Sequence, residues 1–137
     1  MQTDPTLRVL IVDDTRALRE LLALTVENDD RFSVAGCAAD GAQAIQLVEQ
    51  DQADAIILDL QMPGMDGLTA LPHLRQLCPD AVIAAHSFDG DALAQAVALG
   101  ADLSMAKGSG LDELLDAIVV FRETRRRLHS SQKNSAA

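Results

Sequence analysis

Five polar residues stand at matching places along the 137-residue chain. Asp13 and Asp14 follow the apolar run Arg8-Val9-Leu10-Ile11-Val12, and Asp59 follows Ala55-Ile56-Ile57-Leu58. Ser87 lies just past Ala81-Val82-Ile83-Ala84-Ala85, and Lys107 just past Leu103-Ser104-Met105-Ala106. Three carboxylates at one low-dielectric edge repel one another and stay ionised together only beside a cation. Oxygen ligands without thiolate or imidazole suit a hard ion, Mg²⁺ or Mn²⁺. A carboxylate can also attack phosphorus to give an aspartyl phosphate, a reaction that needs positioning and positive charge for the phosphoryl oxygens. Lys107 and the metal would supply that charge. Asp59 is the best nucleophile: its strand is the most apolar, and the turn Met62-Pro63-Gly64-Met65-Asp66-Gly67 follows it. Any one of these aspartates could be a turn residue or a helix cap. The set, placed at successive strand ends with one lysine, argues for function.

What brings them together is the alternation of strand and helix. The two clearest runs look like strands buried on both faces, and Phe32–Cys37, 81–85 and 103–106 are weaker candidates. Helical spacing separates them: Ala17, Leu18, Leu21, Leu22 and Thr25; then Ala42, Ile45 and Val48; then Leu68, Leu71 and Leu74; then Leu93, Ala96 and Val97. A fifth helix runs through Leu111, Leu114, Leu115, Ile118 and Val119. The pattern calls for a parallel α/β sheet with right-handed crossovers and helices on both faces. Ligands in such sheets bind beyond the carboxyl ends of the strands, where all five polar residues fall.

The length suits one domain. No apolar run is long enough to span a bilayer, and Met1–Pro5 lacks the basic and apolar start of a secretory signal, so the expected location is cytoplasmic. Cys37 and Cys78 show no metal-binding spacing with each other or with His73, His86 and His129, and read as reduced structural thiols. The net charge of −10 conceals an acidic body, net −14 over residues 1–121, and a basic end, net +4 over 122–137. The body should repel nucleic acid, and the basic end complements a helix dipole. After Leu128 the polar chain is expected to fray, leaving an ordered unit over 7–127 and a disordered tail over 128–137.

Leu10-Ile11-Val12-Asp13-Asp14, the block Ile57–Gly67 around Asp59, and Gly100-Ala101-Asp102 before Lys107 closely resemble the receiver domains of two-component response regulators, from about residue 8 to about 121. The resemblance implies a flavodoxin-like fold, five parallel strands in the order 2-1-3-4-5 with five helices. It implies phosphorylation of Asp59 by a histidine kinase, phosphotransfer protein or small phosphodonor. Mg²⁺ would be held by Asp14, Asp59 and the backbone carbonyl of Gln61, with Asp13 assisting through water. Lys107 would pair with the phosphoryl group, and a hydroxyl after the fourth strand would grip it. A downstream protein would dock on the face of the fourth helix, fifth strand and fifth helix, which could also join two copies. No direct contact with nucleic acid or membrane is expected.

Three positions depart from the family pattern. Counting forward from Pro79-Asp80 puts Ser87 at the hydroxyl position, while counting back from Lys107 puts Ala85 there; Ser87 with a shortened loop is the preferred reading. Ser104 occupies the place of the family's fifth-strand aromatic, and Phe88 is expected to pack in the ordinary way. Gly108 replaces the proline after the lysine, which should loosen that loop. The alternatives are a pseudo-receiver that docks without switching, a receiver cut from a DNA-binding regulator, and a haloacid-dehalogenase-type phosphatase. Asp13-Asp14-Thr15 lacks the spacing the last requires. Val120 and Phe121 suggest either a partner surface or burial on the fourth-helix side. Gln61 resembles a position that tunes the lifetime of the phosphorylated form.

Overall fold

A computed structural model describes residues 6–135. Met1–Pro5, read above for a signal, lie outside the described residues. The elements alternate strictly: β1 (Leu7–Val12), α1 (Arg16–Glu27), β2 (Phe32–Ala38), α2 (Gly41–Gln50), β3 (Ala55–Asp59), α3 (Gly67–Leu77), β4 (Val82–Ser87), α4 (Gly90–Ala98), β5 (Leu103–Ala106) and α5 (Leu111–Ser135). The five strands form one parallel sheet in the order β2-β1-β3-β4-β5, as expected.

The period-two alternation of each strand divides its side chains between two cores. Leu10, Val12, Ile56, Leu58, Ile83 and Ala85 pack beneath α2, α3 and α4, with Ala44, Leu71, Leu74 and Ala96 from those helices. Val9, Ile11, Ala55, Ile57, Val82 and Ala84 pack on the opposite face against Leu22 and Val26 of α1 and Leu114, Leu115 and Ile118 of α5. β3 is buried at every position, which is why it reads as an unbroken apolar run. The order reverses between β1 and β3, so the crevice at the carboxyl ends opens beside Asp13 and Asp59.

Local chemistry ends the loops cleanly. Asp40, Asp66 and Asp89 cap α2, α3 and α4, accepting from Gln43 N, Thr69 N, and both Asp91 N and Ala92 N. Arg75 of α3 ties the far edge together: its guanidinium donates to the carbonyls of Gly100, Pro79 and Ala81 and to Asp102 Oδ2, which also accepts from Ile83 N.

Several expectations change. β4 runs through His86 and Ser87, because both continue the parallel pairing, His86 opposite Asp59 and Met105, and Ser87 opposite Ala106. α5 continues to Ser135, so residues 128–135 of the expected tail extend a helix that no Gly or Pro interrupts after Gly110, while residues 136–137 of that tail lie outside the described residues. Val120 is 64% exposed, whereas Phe121 packs on the α1 and α5 side rather than towards α4. Cys78 is buried, but Cys37 is exposed on β2.

Candidate functional site

Asp13 is the first residue past β1. Its backbone N donates to Ala38 O, and its Oδ1 accepts from Thr15 N at 2.8 Å, which turns the chain into α1. Asp59 ends β3, held from above by the close approach of α3. A Cβ added at Gly67 would lie 2.0 Å from Asp59 O, so only glycine allows the helix to start there. Asp59 Oδ1 accepts from Gln61 N at 3.3 Å. Lys107 follows β5, its backbone N donating to Ser87 O at 2.8 Å. Gly108 takes φ +103°, a conformation open to glycine and not to the family's proline.

The side chains converge. Lys107 Nζ stands 2.9 Å from Asp13 Oδ2 and 3.2 Å from Asp59 Oδ2. Both carboxylates are buried, Asp14 is exposed, and one oxygen from each of the three lies within 4.8 Å of the others. Burial, and then the charge of Asp13, pushes the Asp59 carboxyl up to about 6, against the pull of Lys107. Burial opposes the Lys107 charge, but contact with Asp13 and the charge of Asp59 outweigh it and raise that pKa.

These residues fit a hard divalent cation. Beyond the one ammonium they share, Asp13 Oδ2 and Asp59 Oδ2 have no donor among the described residues. Two buried anionic oxygens with one cation between them leave charge uncompensated, and Asp14 completes an all-oxygen donor set open to solvent.

Of the two candidates for the hydroxyl position, Ser87 stands at the end of β4 beside the backbone of Lys107. Its Oγ accepts from Asp89 N at 3.1 Å. Ala85 is two pairs deeper, opposite Ser104, and belongs to the core. Ser104 is exposed on the short strand β5.

Three participants escape a reading of the sequence. Asp89 caps α4, donates its N–H to Ser87 Oγ and accepts from Gln61 Nε2 at 2.9 Å. His86 is buried with Nδ1 unpartnered among the described residues; burial, and then the charge of Lys107, lowers its pKa and keeps the ring neutral. Phe88 is not packed: it is 80% exposed, and its ring centroid lies 5.6 Å from Lys107 Nζ. The acidic pattern of Asp40, Asp66 and Asp89 just before helical spacing was the one available signal for Asp89.

A family model described as the response regulator receiver domain matches residues 9–119. A protein-glutamate methylesterase/protein-glutamine glutaminase from Shewanella sp. (strain MR-4) is 42% identical over 99 residues, covering 70% of this chain and 28% of that protein. One of similar name from Rhodospirillum centenum is 36% identical over 125 residues, covering 88% of this chain and 32% of its own length. The chain thus spans about a third or less of these relatives. Among solved structures, a LuxR-family two-component response regulator from Aurantimonas sp. superposes with a TM-score of 0.79 at 31% identity, covering 88% of this chain and 87% of that one. The response regulator domain of Thermotoga maritima CheB superposes with a TM-score of 0.78 at 25% identity, covering 87% and 98%. Fold, acidic cluster and sequence agree: the chain belongs to the response regulator receiver domain family.

Proposed function

We propose that Asp59 is the phosphoacceptor. The observation that carries this reading is the pair of buried carboxylates, Asp13 and Asp59, sharing the Lys107 ammonium at 2.9 and 3.2 Å at the carboxyl edge of the sheet. A carboxylate oxygen of Asp59 attacks the donor phosphorus, a P–O or P–N bond to the donor breaks, and the electron pair leaves with the donor group. Asp59 must be ionised to attack, so Lys107 both favours the carboxylate and balances the charge carried by the transferred group. Asp13 orients Lys107 and, with Asp14, Asp59 and the Gln61 carbonyl, would hold Mg²⁺ or Mn²⁺. The bound ion supplies positive charge to the phosphoryl oxygens. The Ser87 hydroxyl, at present an acceptor for Asp89 N, would turn to donate to a phosphoryl oxygen.

The donor would be a histidine kinase or phosphotransfer protein in the cytoplasm; among the described residues no helix is long and apolar enough to cross a membrane. A downstream protein, or a second copy, would dock on the face formed by α4, β5 and α5, where Val97 and Val120 are exposed. The acidic body disfavours direct binding to nucleic acid. Incubation with Mg²⁺ and acetyl phosphate should add one phosphoryl mass to the intact protein and none to Asp59→Asn. No gain in folded protein would overturn the reading.

A further inference from the structure

α5 carries its inner face past the sheet, and the chemistry of that face changes there. Leu114, Leu115 and Ile118 are buried in the core it shares with α1. Beyond Ile118, at helical spacing on the same face, come Arg122, Arg125, Arg126 and His129. With Asp54 and Asp80, which lie in the segments entering β3 and β4, they line a cleft of about 640 Å³. It lies at the opposite end of β3 from Asp59.

The helix itself gains nothing from this cluster. A helix dipole favours cations only in the last turn, and α5 runs on to Ser135, more than two turns beyond Arg126. Like charges one turn apart, Arg122 with Arg126 above all, repel instead. Arg125 is committed internally: its guanidinium donates to Asp80 O and lies over the Phe121 ring. Arg126 has only a loose pair with Glu123, 3.7 Å away and exposed on both sides, which stabilises little. Arg122 makes no hydrogen bond or ion pair among the described residues. The Asp54 carboxylate does not neutralise it, since Asp54 Oδ2 accepts from Arg8 N at 2.9 Å.

We infer that this cleft binds a small phosphorylated molecule carrying two or more phosphate groups. Arg122 and Arg126, one turn apart, offer two guanidinium forks, and each fork matches a phosphate bidentately. Linked phosphates satisfy both forks at once and end the repulsion between them. The volume falls among those of small-molecule sites, roughly 300–1,000 Å³. A nucleic-acid backbone needs a continuous cationic track, whereas here Asp54 and Asp80 bound the arginine face and would repel a polyanion running on across it. The inference does not depend on the assignment of Asp59.

The test is titration calorimetry on the full chain in about 0.15 M NaCl, with chelator present so that no metal-bound phosphate settles on the acidic cluster. Tripolyphosphate reads the phosphate contacts alone, and ATP adds a nucleoside; the stronger of the two identifies the source of the phosphates. At least one should bind with a Kd below about 1 mM. Arg122→Ala and Arg126→Ala, each shown to be folded by its melting curve, should weaken it at least about fivefold. Arg127→Ala, which removes the same charge from the same helix outside the cleft, should stay within about twofold. No binding of either probe below about 1 mM would overturn the inference. Equal loss in Arg127→Ala would also overturn it, by showing diffuse attraction rather than a site. So would capture by phosphatidylglycerol vesicles or a single-stranded oligonucleotide when neither small probe binds, which would give these arginines to an extended anionic surface.

Discussion

Gln61 Nε2 donates to Asp89 Oδ2 at 2.9 Å, joining the loop after β3 to the N-terminus of α4. The acceptor strand and the helix that follows Ser87 are therefore tied by side chains as well as by the sheet. Asp89→Ala removes the α4 cap and should cost about 1 kcal/mol in urea unfolding, while Asp89→Ser, which can still cap, recovers most of it. Gln61→Ala, which removes an exposed bond and leaves the cap, should cost less than about 0.5 kcal/mol.

The Asp59 carboxyl carries a pH signature. Its folded pKa, about 6, lies above the ordinary carboxylate value, so the folded state holds the proton more tightly than the unfolded one. The resulting stabilisation is complete below the unfolded pKa and is lost as pH rises through about 6. Metal-free protein should become less stable between about pH 4 and 7, by on the order of 2 kcal/mol, and Asp59→Asn should flatten that slope and be the more stable protein at pH 7.5. Thermal melts across this range in chelator check both.

Mg²⁺ binding should be coupled to the same proton. Below about pH 6 the ion competes with protonation of Asp59, so affinity measured by calorimetry should fall roughly tenfold per unit towards pH 4.5. In Asp59→Asn that dependence should largely vanish.

Arg75 holds three carbonyls and Asp102 at the opposite edge of the sheet. Arg75→Ala should destabilise by roughly 2–4 kcal/mol in urea, since it strands acceptors that are partly buried. Arg75→Lys should not restore it, because one ammonium cannot reproduce the fork. Phosphorylation of the folded Arg75→Ala fraction should be unaffected.

Much of this architecture was legible in the sequence because apolar runs and terminal aspartates coincide. The run before Asp59 gives strand, burial and direction at once, and the spacing to Lys107 makes even the weak strand Leu103–Ala106 necessary. Ser87 was harder to place, because the polar pair His86-Ser87 blurs the strand end, and only its pairing with Ala106 sets it beside Lys107. The Gln61–Asp89 and Arg75–Asp102 contacts join residues 28 and 27 apart and leave no local pattern. Phe88 was misjudged because a phenylalanine is packed by default, and α5 ran on past Leu128 because each added residue extends an existing helix at little cost.

The central claim is that Asp59 carries the phosphoryl group, and the most direct measurement is to trap it chemically. Protein treated with Mg²⁺ and acetyl phosphate is reduced with borohydride, which converts an acyl phosphate to the alcohol, and then digested and sequenced by mass spectrometry. The account predicts homoserine at position 59, dependent on Mg²⁺ and on Lys107. Homoserine at Asp13 or Asp14 instead, or at none of the three in protein that gained the phosphoryl mass, would contradict it.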